Sequence, residues 1–229
     1  LGYRGDEPRA DADKSTRVLV IGDSYVWGDG IPSVDGTLSA NLEGALDPGR
    51  EGTWEVLNIG FAGNGLYGYT KAAIRLAPAL RPKVVVISLL GHWDLDPLGA
   101  QSLLDASESL GPLVALARDL GFRQTLHDKT MRWIGAHPER DVDAWWSERL
   151  RLVEESSRAE GYRVVILEFF PAPRGLHIPE SFVRVPLPEA WKYSGATLGT
   201  LWYGKDTHPR PELNRRLGKH LAPIIESLA

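Results

Sequence analysis

The chain has 229 residues, of which 43% are hydrophobic and 24% are charged, and its formal net charge is -4. Its length allows one large domain or two small ones, and its composition is that of a globular protein with a full core. Acidic and basic residues are mixed along the sequence, so no concentrated basic face indicates nucleic-acid binding. The lack of cysteine excludes disulfides and thiolate chemistry.

The first residues of the chain predict an extension that precedes the folded domain. No stretch of the sequence approaches the roughly 20 apolar residues that a membrane-spanning helix needs. The sequence starts at Leu1 instead of Met, so we interpret residues 1–16 as an N-terminal extension that follows a removed signal or anchor. This interpretation predicts an extracytoplasmic protein that is periplasmic, secreted or tethered to a membrane. Residues 17–229 are expected to form a single domain.

Four apolar runs are typical of buried parallel strands. They cover residues 17–22, 54–59, 83–90 and 163–170. Segments with helical spacing of apolar residues lie between them, and Gly161 suits the end of the helix that precedes the fourth run. The residues with helical spacing are Leu38, Leu42 and Leu46 in one segment and Trp145, Arg149, Leu152 and Val153 in another. This alternation predicts right-handed crossovers and a mainly parallel sheet.

Two segments depart from that alternation, and a last helix follows them. Residues 91–161 are too long for one crossover and predict a helical insertion, with 122–141 as a lid or rim. Residues 171–205 are rich in Pro and Gly and are interpreted as a long loop. A final helix is expected from Pro211, and Pro223 is expected to kink or disturb its end.

The first apolar run stops at Gly22-Asp23-Ser24 and continues into a glycine-rich turn. In open α/β sheets the chemistry gathers just beyond the carboxyl ends of the strands, so Ser24 is placed as a nucleophile would be. The alternative is that small residues close the strand because the turn needs them. Asp23 is expected to organise this turn through hydrogen bonds.

Three further segments bear on Ser24. Gly63 and Asn64 lie in a glycine-rich turn after the second strand, where a backbone N–H can approach a developing oxyanion. His208 precedes the last helix, and histidine as a residue type is suited to act as a base for a serine hydroxyl, while Asp206 can orient the imidazole. The turn at 91–94 follows the third strand, so all four segments can converge on one edge of the sheet.

With these blocks in this order, the chain resembles the GDSL-like, or SGNH, hydrolases. The resemblance implies a flavodoxin-like three-layer α/β/α domain that hydrolyses carboxylic esters without a cofactor. It also implies that Ser24 is the nucleophile, that Gly63 donates its backbone N–H to the oxyanion and that His208 is the catalytic base. The opening residues 1–5 are similar to those of family members whose hydrolase domain follows a membrane anchor.

The sequence departs from the family pattern at three places. Trp93 stands where the family has an asparagine that donates to the oxyanion, so the Trp93 indole, His92 or Asn64 is expected to replace it. The family acid lies three residues before the histidine, whereas the carboxylate here, Asp206, lies two residues before it. Tyr25 replaces the usual leucine.

These observations predict a serine esterase that removes a short acyl group, such as acetyl, from a carbohydrate or similar small substrate. The family often acts on such esters, and the eight tryptophans offer stacking surfaces, although most tryptophans in proteins are packing residues. Histidine spacing gives no paired metal ligands, so neither a metal nor a cofactor is expected. The alternatives are a carbohydrate-binding or assembly protein with little catalysis and an O-acyltransferase. The oligomeric state is not indicated by the sequence.

Overall fold

A computed structural model of the protein describes residues 4–5, 7–9, 15–49, 51–91, 94, 142–172, 175–204 and 207–229. The described residues form a parallel sheet with helices on both faces, so the predicted α/β fold is confirmed. The strands are β1 (Thr16–Gly22), β2 (Trp54–Gly60), β3 (Val84–Leu89), β4 (Arg163–Glu168) and β5 (Val183–Pro186). The helices are α1 (Ser24–Trp27), α2 (Leu38–Leu46), α3 (Leu66–Leu80), α4 (Val142–Glu160) and α5 (Pro211–Glu226).

All neighbouring strands of the sheet are parallel, in the order β2-β1-β3-β4-β5. The register places Ile21 of β1 beside Ile59 of β2 and Ile87 of β3. The carboxyl ends of these three neighbouring strands therefore meet at one edge, which is where an open α/β sheet concentrates its chemistry.

Two apolar cores lie on opposite faces of the sheet. On one face α2 and α5 pack over β1, β3 and β4 through a cluster that includes Leu38, Leu42, Leu213 and Leu217. On the other face α3 and α4 cover the same strands through a cluster that includes Leu66, Tyr69, Trp146 and Leu150. Alternate residues of β1 to β4 supply the two cores, as the pleat of a doubly covered sheet requires.

Local sequence signals explain where two of the helices begin and end. Thr37 caps α2, because its hydroxyl oxygen accepts a hydrogen bond from the Ala40 amide at 3.3 Å. Gly161 follows α4 with a φ of 75°, a conformation that glycine adopts without steric cost. The predicted stop at Gly161 is therefore confirmed.

The interpretation of residues 171–205 as a loop is wrong at β5. This strand pairs in parallel with β4, with Val183 opposite Val165 and Val185 opposite Leu167. Its four residues are too few for a clear alternation, and Pro186 at its end is tolerated because β5 lies at the edge of the sheet.

The expected disturbance of the last helix at Pro223 does not end that helix. The helix α5 continues through Pro223 to Glu226, and the Ser227 amide donates to the Pro223 carbonyl at 3.3 Å. Proline lacks the N–H that would bond to the carbonyl of Lys219, but this loss near the exposed end of a well-packed helix is tolerated.

The helix α4 is the main described part of the predicted insertion at 91–161. The proposed lid at 122–141 lies outside the described residues.

The N-terminal segment contacts the domain through Arg4, whose guanidinium donates to the carbonyls of Trp27, Gly28 and Ile31. In the described parts of the chain, no helix combines the length and the apolar character needed to cross a membrane.

Candidate active site

The Ser24 turn (residues 22–30) connects β1 to the segment before α2. The carboxylate of Asp23 caps α1 by accepting a hydrogen bond from the Tyr25 amide at 2.9 Å, as the sequence predicts for a residue that organises the turn. Gly60, at the end of β2, lies against this turn so closely that a Cβ there would be 2.2 Å from the Trp27 nitrogen. Main-chain packing therefore fixes the position of Ser24 at the carboxyl edge of the sheet.

The His208 segment (residues 201–210, described at 201–204 and 207–210) reaches the same edge from the other side. The Tyr203 amide donates to the His208 carbonyl at 2.9 Å, and the Arg210 amide donates to the Leu201 carbonyl at 2.8 Å. Between these bonds lies Trp202, which is fully buried and whose indole N–H donates to the Trp191 carbonyl at 2.8 Å. A buried tryptophan therefore anchors the segment that carries His208.

Ser24 and His208, which are 184 positions apart in sequence, meet in a hydrogen bond of 2.8 Å between Oγ and Nε2. A serine hydroxyl has one proton to donate, and the alternative acceptor, Oδ2 of Asp23, lies farther away at 3.3 Å. When the hydroxyl donates to Nε2, that nitrogen carries no proton and is able to take one. The arrangement has the geometry of a nucleophile with its general base.

The glycine-rich turn after β2 adjoins the Ser24 turn. The Phe61 amide donates to the Gly22 carbonyl at 3.0 Å, which ties the two turns together. Gly63 is exposed and has a φ of 78°, which glycine adopts readily and other residues do not. This turn therefore brings an exposed main-chain segment beside Ser24.

The side chain of Asn64 packs on the first turn of α3. Its Oδ1 occupies the space next to Gly68 that a larger residue would need. A Cβ at Gly68 would lie 1.8 Å from Asn64 Oδ1. This oxygen is buried and has no hydrogen-bond partner among the described residues. The structure thus places the Asn64 amide against α3, and its role as an oxyanion donor stays a prediction.

Two buried carboxyl groups lie beneath the site. Asp94 accepts hydrogen bonds from the Leu90 amide and from the Tyr69 hydroxyl, the latter at 2.8 Å. Burial, together with the nearby charge of Asp23, raises the pKa of Asp94 well above its usual range. Burial also raises the pKa of Asp23, although the Tyr25 amide and the charge of His208 oppose this rise. Asp23, whose Oδ2 lies 3.3 Å from Ser24 Oγ, and Asp94 therefore both bind a proton more tightly than freely exposed carboxyl groups do.

Three of the predicted site residues, Asp206, His92 and Trp93, lie outside the described residues. The orienting acid and the replacement for the family's asparagine thus stay predictions. Of the tryptophans whose side chains the structure describes, Trp146 and Trp202 are fully buried, and the others are half-buried, namely Trp27, Trp54 and Trp191. Among the described side chains, the exposed aromatic rings are those of Phe61, 50% exposed, and Tyr193, 39% exposed. Phe61 and Tyr193 are therefore the most exposed large aromatic side chains among the described residues.

Sequence reasoning missed the roles of Tyr25, Tyr69 and Asp94 around the site. Tyr25 directly follows Ser24, and its aromatic side chain could have suggested a contact beyond the turn. Asp94 closes the block after β3, where a carboxylate beside a buried strand end needs partners. Tyr69 gives no such signal, because its hydroxyl meets Asp94 only once the strands are assembled.

The described part of the chain holds no group of three or more His, Asp or Glu side chains placed to bind a metal. No protein-family model and no curated protein sequence matches this chain.

Solved structures resemble it over almost its whole length. A protein from Desulfitobacterium hafniense assigned to the G-D-S-L family of lipolytic proteins has a TM-score of 0.55 at 10% identity, covering 92% of this chain and 99% of that one. The psychrotrophic esterase EstA from Pseudoalteromonas has a TM-score of 0.55 at 13% identity, and the match covers 93% of this chain and 98% of that one. The two-domain esterase CEX has a TM-score of 0.53 at 10% identity, covering 93% of this chain and 49% of that one. At these identities the comparisons establish the fold, which is that of the SGNH hydrolases.

Proposed function

We propose that this protein is a serine esterase of the SGNH hydrolase family that acts through an acyl-enzyme on Ser24. The observation that carries the proposal is the 2.8 Å contact between Ser24 Oγ and His208 Nε2 at the carboxyl edge of the sheet. A nucleophilic serine requires a base that can reach its hydroxyl and remove its proton, and this contact places the His208 imidazole there.

The reaction follows from this contact in two halves. Ser24 Oγ attacks the carbonyl carbon of the ester as Nε2 of His208 takes its proton, and the imidazolium then protonates the departing alcohol. Water next enters, gives a proton to Nε2 and attacks the acyl-enzyme, and the Ser24 oxygen leaves with that proton as the carboxylic acid is released. Asp206 is proposed to keep the imidazole oriented through both halves.

Backbone amides are proposed to stabilise the oxyanion of each tetrahedral intermediate. The Ser24 amide lies in the first turn of α1, where backbone N–H groups lack intrahelical acceptors. The Gly63 amide belongs to the turn that the Phe61–Gly22 hydrogen bond holds beside Ser24. A third donor is proposed from among Asn64, His92 and Trp93, and one such donor is typically worth about 10²- to 10³-fold in rate.

The proposed substrate is a short acyl ester of a carbohydrate. The two-domain esterase that shares this fold is active on acetylated mannans, which gives a precedent for such a substrate on this scaffold. Phe61 supports the proposal, because its half-exposed ring lies on the turn that adjoins Ser24 and offers a flat apolar face. Deacetylation of acetylated mannan, measured as acetate release, tests this substrate against a matched aryl acetate.

The central test is the hydrolysis of 4-nitrophenyl acetate by the wild-type chain and by Ser24→Ala. Loss of the nucleophile should lower kcat by about 10³-fold or more. Ser33→Ala is the matched control, because Ser33 is an exposed serine of the following segment and should leave turnover unchanged. Covalent labelling by an ethylphosphonate, mapped by mass spectrometry, should modify Ser24 in the wild type and slow sharply in His208→Ala. Equal turnover by wild type and Ser24→Ala would refute the assignment.

A further inference from the structure

Tyr25 lies in α1 directly after Ser24, and its side chain points away from the turn into the rings beneath the site. It is 6% exposed. Its ring meets Phe169 edge-on, with centroids 5.1 Å apart and planes at 88°, and contacts Trp202 at 6.1 Å. Because both neighbours belong to the core, the direction of the Tyr25 ring is fixed, and so is the position of its hydroxyl.

The Tyr25 hydroxyl lies next to Thr207, the residue before His208. It donates a hydrogen bond of 2.9 Å to the Thr207 carbonyl, and it lies 3.2 Å from Thr207 Oγ1. The Thr207 carbonyl belongs to the peptide bond that leads into His208, so a contact there governs the direction in which the His208 side chain leaves the backbone. The Tyr25 ring also lies 5.1 Å from the imidazole of His208, measured between centroids.

The backbone of Thr207 gives an independent reason for this hydrogen bond. Thr207 has a φ of 58°, in the left-handed region. A β-branched residue rarely adopts this conformation, and where it does, the surrounding structure has to hold it there. The Tyr25 hydroxyl is an anchored donor on the carbonyl of this residue, and its own position is set by α1 and the core.

We infer that Tyr25 is a positioning residue that locks the His208 segment onto the Ser24 turn through the Thr207 carbonyl. This role rests on the proposed function of Ser24 and His208. Tyr25 contacts neither the ester nor the reacting atoms in this mechanism. The same short helix thus supplies the nucleophile and, one residue later, the hydroxyl that holds the base at 2.8 Å from it.

The test is Tyr25→Phe, which keeps the ring and removes only the hydroxyl. With 4-nitrophenyl acetate, kcat should fall by about 10- to 100-fold while KM is unchanged, because small displacements of a catalytic group cost about that much. The matched control is Tyr162→Phe. Tyr162 is also buried, and its hydroxyl also donates to a backbone carbonyl, that of Val153, on the opposite side of the molecule. Its loss should leave kcat unchanged.

A double-mutant cycle separates positioning from a general effect on folding. If Tyr25 acts through the imidazole, adding Tyr25→Phe to His208→Ala should cause no further loss of the residual rate. A loss of the same size in both backgrounds would overturn the inference, as would a Tyr25→Phe enzyme with the wild-type kcat.

Nuclear magnetic resonance of the His208 ring tests the same contact without any turnover. The Cε1–Hε1 resonance of His208 should shift in Tyr25→Phe and stay in place in Tyr162→Phe. If the wild type does not hydrolyse the ester, the proposed function fails, and this resonance still decides whether Tyr25 holds the imidazole. An unmoved resonance in Tyr25→Phe would overturn the positioning role, even if Ser24 proves to be the nucleophile.

Discussion

The Ser24 turn and the His208 segment reach the same edge of the sheet but are held there by different kinds of contact. On the Ser24 side, the main chain of two glycines packs closely against neighbouring residues. A Cβ at Gly60 would lie 2.2 Å from the Trp27 nitrogen, and a Cβ at Gly22 would lie 2.5 Å from Val26 Cγ2. Glycine permits this closeness, and the strand register leaves little freedom for the turn to move.

On the His208 side, large side chains hold a loop. Trp202 fills the core beneath the segment, and the Tyr25 hydroxyl binds the strained Thr207. Rings can be displaced by small changes in packing, whereas a backbone wedged between strands moves only if the sheet does. The comparison indicates that substitutions at the closely packed glycines of the Ser24 turn should act on folding, whereas substitutions beneath the His208 segment should also lower the rate of reaction.

The largest expected effect is on the Ser24 side, at Gly60→Ala. The added methyl group would meet the backbone of Val26 and Trp27, which no side-chain rotation relieves. We expect a loss of about 3 kcal/mol in the free energy of unfolding, measured by chemical denaturation. Gly44→Ala is the control, because Gly44 lies in α2 with open space around it and should gain about 0.5 to 1 kcal/mol. A Gly60→Ala protein as stable as the wild type would show that the turn is not wedged.

The parts of the molecule that the sequence predicts are those with local patterns. The strands β1 to β4 were expected within two residues of their ends, because each is a continuous apolar run closed by a turn. Strand β5 was missed, since a four-residue edge strand carries no such run. Gly63 was picked out from its glycine-rich turn, and its φ of 78° is one that glycine adopts readily, while its role as an oxyanion donor stays a prediction.

The contacts that hold the site together are the part that the sequence hides. The Tyr25 hydroxyl and the Thr207 carbonyl are 182 positions apart in the chain. No sequence motif contains both residues. The strain at Thr207 depends on its backbone φ angle, which cannot be predicted from the identity of its side chain. Asp94 and Tyr69 are a second pair that no local pattern links. Asp94 follows β3 and Tyr69 lies in the first turn of α3, and they meet because β3 ends and α3 begins at the same edge of the sheet. Long-range packing decides such pairs.

The next largest effect is expected on the His208 side, at Trp202→Phe. This change removes the indole N–H bond to the Trp191 carbonyl and leaves a small cavity beneath the segment. We expect a loss of about 1 to 3 kcal/mol in stability and a fall in kcat of about tenfold, as His208 loses its fixed position.

Trp146→Phe distinguishes packing from positioning. Trp146 is as fully buried as Trp202 but lies in α4, in the core on the opposite face of the sheet. It should lose a similar amount of stability with no change in kcat, measured by denaturation and steady-state hydrolysis of the same ester. If both variants lowered kcat equally, the His208 segment would be no more sensitive than the rest of the core.

The smallest expected effect concerns charge on the Ser24 side, where Asp94→Asn tests the buried carboxyl. Because the pKa of Asp94 is raised in the folded protein, the folded state binds its proton more tightly than the unfolded state does. The stability that this proton provides is complete below the unfolded pKa and is lost as the pH rises through the folded pKa. Asparagine has the shape of the protonated acid, can accept from the Leu90 amide and can donate to the Tyr69 oxygen, and it does not titrate.

The free energy of unfolding of Asp94→Asn, relative to the wild type, should therefore increase as the pH is raised from about 4 to about 8. The measurement is urea denaturation of both proteins across that range. Two stability curves that stay parallel would mean that Asp94 titrates alike in the folded and unfolded states. Burial of this carboxyl group beneath the site would then make no contribution to the pH dependence of the stability of the fold.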